Sequence, residues 1–87
     1  MMNVDDVAEL SIVSVKHIES YLLELRFNNR HIQRVDFSSF IFSNRHPDYE
    51  QYKNEDMFLN YKLIDGNLNW DDYRMIFTVE DLYRGKI

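Results

Sequence analysis

Tyr61-Lys62-Leu63-Ile64-Asp65-Gly66-Asn67-Leu68-Asn69-Trp70 encodes a β-hairpin. Asp65-Gly66 supplies the two positive-φ residues of a tight two-residue turn. Closing the strands around it sets Leu63 opposite Leu68 and Tyr61 opposite Trp70, with all four side chains on one face. Lys62, Ile64, Asn67 and Asn69 then point the other way, mostly to water. Turn chemistry and face pattern agree, so the second half of the chain is organised around this ribbon.

Toward the N terminus, Leu10-Ser11-Ile12-Val13-Ser14-Val15-Lys16-His17-Ile18 is β-branched and reads as a strand. Tyr21–Phe27 is a second, with Leu23, Leu25 and Phe27 on one face. Asn28-Asn29-Arg30 makes a turn, because asparagine tolerates the left-handed region. His31–Asp36 returns antiparallel, but Ile32 and Val35 have opposite parity, which calls for a bulge or a sheet covered on both faces. Asp36 is placed to cap a short helix whose apolar face is Phe37, Phe40 and Ile41. Ser43–Pro47 is a loop, and Asp48 with Gln51 resembles a capping box for a short helix that fades near Asn54. Beyond Trp70, Asp71-Asp72 breaks the strand and Arg74–Phe77 is extended. Thr78-x-x-Asp81 opens a last helical turn that Gly85 stops.

The expected fold is α+β. It comprises an antiparallel sheet of about five strands, a three-strand N-terminal meander plus the Asp65-Gly66 hairpin, with two or three short helices packed on it. Residues 10–87 form one small domain, preceded by a flexible N-terminal arm over 1–9. At 87 residues there is no room for a second core. The 45% hydrophobic share is too high for a disordered chain. With no cysteine, neither disulfides nor thiolate metal sites can staple the fold. The start carries no secretory pattern and no apolar run approaches a membrane span, so the expected location is the cytoplasm. A net charge of −5 argues against a general nucleic-acid binder and is compatible with a solvated acidic surface or a basic protein partner.

Chemistry is harder to find. His17, His31 and His46 are too scattered for a local metal motif. The adjacent acidic pairs Asp71-Asp72 and Glu80-Asp81 read as turn and helix-start chemistry. The two glycines, Gly66 and Gly85, are used by a turn and a helix end, which leaves no phosphate-cradling loop or nucleophile elbow. The expectation is a protein that is not an enzyme, with no catalytic, cofactor-binding or metal-binding residues. A third possibility, a tertiary ligand site near His46, Trp70, Asp71 and Asp72, ranks last. Arg26, Arg30 and Arg34 cluster around the second turn and form the alternative nucleic-acid contact, since a two-stranded ribbon can grip phosphates. A solubilising, edge-protecting role for these charges is the stronger reading. The aromatic excess of the second half points instead to a protein partner or self-association. Its expected interaction residues are Tyr49, Tyr52, Trp70, Tyr73 and Tyr83.

The chain resembles domain-of-unknown-function family 2442, a group of small, mostly bacterial proteins. The resemblance rests on Leu23-x-Leu25-x-Phe27 and its turn, Val35-Asp36-Phe37, Phe58, Asn69-Trp70 and Val79-x-x-Leu82-Tyr83. These landmarks run from about Leu10 to Tyr83 and are hydrophobic rather than catalytic. Departures are Arg30 where the family tends to have glycine, Asp71-Asp72-Tyr73 where proline and glycine are common, and Met75-Ile76 in place of Asp-Leu. The resemblance implies an α+β domain without established activity. It also implies a gene neighbour encoding another small domain, in an arrangement that looks like a toxin–antitoxin pair. Some relatives add a DNA-binding helical segment, for which a chain ending at Ile87 leaves no room.

Overall fold

The computed structural model describes residues 9–43, 46–71 and 74–87. The expected arm over residues 1–9 lies, apart from Glu9, outside the described residues. Strands β1 (Ile12–Glu19), β2 (Leu22–Phe27) and β3 (Ile32–Asp36) form an antiparallel meander in the order β1-β2-β3. Helix α1 (Ser38–Ser43), a 3₁₀ segment (Pro47–Lys53) and the single turn α2 (Glu55–Phe58) follow. The hairpin strands β4 (Tyr61–Ile64) and β5 (Asn67–Trp70) are joined by β6 (Met75–Ile76) in a second three-stranded sheet, and α3 (Val79–Arg84) closes the described chain. The class is α+β, with six strands in two sheets among the described residues rather than about five in one.

The hairpin has the expected register, Tyr61 opposite Trp70 and Leu63 opposite Leu68, around Asp65 at φ 50° and Gly66 at φ 79°. Helix ends follow local chemistry. The Asp36 carboxylate accepts from the Ser38 N–H at 2.9 Å and the Ser38 hydroxyl at 2.7 Å. Those bonds favour the charged form and hold the Asp36 carboxyl below its ordinary value. Thr78 accepts from Asp81 N–H, and Gly85 takes the left-handed conformation that ends α3. The 3₁₀ segment departs from expectation. Its cap is His46, whose Nδ1 accepts from Asp48 N–H at 3.2 Å, and Pro47 occupies the first position, where a missing N–H costs nothing.

The two sheets share one core. Leu23, Leu25, Phe27 and Val35 line the inner face of the meander, and Leu68, Trp70 and Met75 come from the second sheet. Phe37, Ile41, Tyr52, Phe58 and Leu82 fill the space between them. Phe37 and Phe58 both lie against Trp70, with ring centroids 5.5 and 5.6 Å away. The hairpin turn is tied to the start of β1 by the Ile12 N–H, which donates to the Gly66 carbonyl at 2.9 Å.

Two positions on the hairpin depart from the expected in–out alternation. Leu63 is 37% exposed because β4 is an edge strand. Asn69, expected to face water, is fully buried, and among the described residues neither atom of its amide has a hydrogen-bond partner. The reason is β6: by pairing Asn69 with Ile76 it makes β5 a central strand, which can be covered on both faces. Burying an unsatisfied amide costs about 1–3 kcal/mol, a penalty that an apolar side chain of similar shape avoids. Asn69→Leu is therefore expected to raise the urea midpoint by an equivalent of about 1 kcal/mol. A lowered midpoint would show that the amide finds a partner in solution.

Candidate interaction surface

The aromatic set expected to meet a partner is divided between the core and the surface. Trp70 and Tyr52 are fully buried, which removes both from any surface role. The indole Nε1–H donates to the Phe58 carbonyl, and the Tyr52 hydroxyl donates to the Asp71 carboxylate. Tyr49 is half-buried against Phe40 and His46, with centroids at 5.5 and 5.1 Å. Tyr83 is half-buried, lies tilted against the His31 ring with centroids 4.2 Å apart and accepts from the Asn29 side-chain N–H at 3.0 Å. Tyr73 lies outside the described residues. Trp70 and Tyr52 thus serve the core of this small domain, while Tyr49 and Tyr83 keep part of their surface exposed.

The residues ranked last as a ligand site have structural duties. Trp70 is core, Asp71 holds the Tyr52 hydroxyl, and His46 caps the 3₁₀ segment; Asp72 lies outside the described residues. Among the described residues no three His, Cys, Asp or Glu side chains gather closely enough to hold a metal ion.

Burial pushes the Tyr52 hydroxyl well above its ordinary value of 10.0, helped by the hydrogen bond to Asp71 and that carboxylate's charge. The sign follows from linkage. The folded state resists losing this proton, so the stabilisation is complete below the unfolded value and is lost as pH rises above it. Tyr52→Phe is expected to flatten the fall in urea midpoint between about pH 9 and 11. An unchanged alkaline slope would show that other tyrosines dominate it.

The meander presents its other face outward. Leu23, Leu25 and Phe27 point to the core, so Leu22, Glu24 and Arg26 point away. Ser14–Arg26–Ile32 forms one cross-strand row and Lys16–Glu24–Arg34 the next. Arg34 is engaged by Glu24 at 3.2 Å. Arg26 and Arg30 are exposed and, among the described residues, neither has a carboxylate within ion-pair distance. They line one depression with Val13, Phe27 and Ile32. Of the three arginines singled out from sequence, two meet here and Arg34 lies a row away.

Val13 and Ile32 were not legible as surface residues. The β1–β2 register shifts between Ile12 and Ser14, which leaves Val13 as the extra residue of a bulge, 56% exposed. The β2–β3 pairing is regular throughout, so no bulge reconciles Ile32 with Val35. Ile32 simply faces out, 48% exposed. Its parity mismatch was the available signal. Arg30 adds backbone strain: at φ 71° it occupies a region natural to glycine, at a cost of about 1–2 kcal/mol for a side chain-bearing residue.

A wider cleft of about 570 Å³ lies beside the hairpin turn, where Glu9, Asp65 and Glu80 contribute carboxylates alongside Leu10 and Phe77. No cation among the described residues pairs with those three acids.

This geometry defines a small α+β domain in which one antiparallel sheet covers a shared aromatic core and turns outward a face that is cationic and partly apolar near the β2–β3 turn and carries Glu19 and Asp36 at its other end. The chain belongs to the family described as protein of unknown function DUF2442, whose model matches residues 12–87. No curated protein and no solved structure matches it. Among the described residues no helix is long and apolar enough to cross a membrane.

Proposed function

We propose that this protein is a non-enzymatic interaction module that engages a protein partner through the outer face of β1–β3. The observation that carries the reading is the exposure of Val13 and Ile32 beside the guanidiniums of Arg26 and Arg30, which have no carboxylate within ion-pair distance among the described residues. Apolar side chains and arginine are the groups enriched where proteins meet. The partner that the family resemblance suggests is the product of an adjacent gene, in a toxin–antitoxin-like arrangement. Nucleic-acid contact through Arg26, Arg30 and Arg34 is the weaker reading. Arg34 is already neutralised by Glu24, the chain carries −5 overall, and phosphate binding makes no use of exposed valine and isoleucine.

Co-expression of the tagged chain with the neighbouring gene product tests the reading. A stoichiometric complex is expected, and Ile32→Glu, which changes a surface side chain only, should prevent it. Failure to recover the complex, or recovery that ignores Ile32→Glu, would count against this face.

A further inference from the structure

Resting on that reading, we propose that the segment received at this face is acidic and apolar: a carboxylate held by Arg26 and Arg30 together, with an adjoining apolar side chain on Val13 and Ile32. Three observations lead there. The depression is about 250 Å³, below the roughly 300–1,000 Å³ of sites that enclose small molecules, so it suits a side chain or two of a larger partner. Its two cations have no carboxylate within ion-pair distance among the described residues, so an incoming acid meets no competitor there. Guanidiniums bind carboxylates through paired N–H donors, and a neighbouring apolar surface excludes the water that would weaken those bonds. The third observation is Arg30 itself. A left-handed backbone is easiest for glycine, yet this position carries the longest cationic side chain and aims it at the depression. Charge complementarity selects the occupant: an acidic segment is attracted, and a basic one is repelled.

The probe is the capped peptide Leu-Glu-Leu-Glu, titrated into methyl-labelled protein and followed by NMR. Leu-Gln-Leu-Gln serves as the uncharged control and a short DNA duplex as the competing polyanion. Shifts are expected at the Val13 and Ile32 methyl groups, with binding about tenfold weaker for the glutamine peptide. Arg30→Gly is the decisive variant because it relieves the positive-φ strain. It should fold at least as stably as the parent while binding the acidic peptide about tenfold more weakly. Arg26→Gln should weaken binding similarly.

Equal affinity for both peptides, shifts elsewhere, or undiminished binding by Arg30→Gly would overturn the proposal. So would duplex DNA that shifts the same methyl groups more tightly, which would assign the face to nucleic acid. If the co-expressed complex forms and survives Arg30→Gly but not Ile32→Glu, the module stands and only the acidic partner is lost. If no complex forms while the peptide binds as expected, the neighbour is the wrong partner and the acidic site stands.

Discussion

Trp70→Ala is expected to leave the protein largely unfolded at room temperature. The indole is fully buried, lies among Phe37, Tyr52, Phe58, Tyr61 and Phe77, and donates its N–H to the Phe58 carbonyl. Truncating a buried aromatic to alanine costs about 3–5 kcal/mol. Here the carbonyl of Phe58 also loses its donor. Single domains hold only about 5–15 kcal/mol in total, and one of this size sits toward the low end. Far-ultraviolet circular dichroism across a urea series measures the effect without relying on the deleted fluorophore. A loss below about 1 kcal/mol would mean that the rings around Trp70 close the gap, contrary to the packing described.

Gly66→Ala should cost about 2–3 kcal/mol, far more than glycine-to-alanine changes in ordinary turns. Two causes combine. Gly66 is at φ 79°, and a Cβ built there would stand 2.5 Å from the Cβ of Ser11. Ser11 cannot retreat freely, because the next residue donates its N–H to the Gly66 carbonyl and so fixes the hairpin against β1. Gly85→Ala is the internal control. It is also left-handed, at φ 69°, but its new Cβ would meet only the end of the Gln33 side chain, which can swing aside. The second substitution should therefore cost about 1 kcal/mol, and urea midpoints for the pair separate steric from conformational cost. Equal losses would show that backbone conformation alone accounts for both.

What could be read in the chain was what depends on near neighbours. The Asp65-Gly66 turn dictates its own register, and Asp36, Thr78 and Gly85 begin or end helices through bonds to residues a few positions away. Hidden features were those that need a distant segment. Asn69 looks solvent-facing until Ile76 pairs beside it. Tyr52 and Trp70 look like docking residues until the meander and the hairpin close over them. Val13 fits an alternating strand until the bulge turns it outward. At the proposed site, composition marked the arginines, whereas the apolar half of the surface emerged only from pairing. His46 was missed as a cap because Asp48-x-x-Gln51 offered a more familiar pattern for the same duty.

The cations gathered at the turn end of the meander have a consequence beyond contact. Arg26 and Arg30 lie at the end of its outer face nearest the β2–β3 turn, whereas Glu19 and Asp36 lie at the other end, in a chain whose overall charge is −5. The remainder is therefore more negative than the whole, and the molecule carries a permanent electric dipole. An approaching anionic surface feels a torque before it touches anything, and collisions at the wrong side are turned away. Dilute buffer would speed correct encounters and added electrolyte would slow them, with the lifetime of the finished complex much less affected.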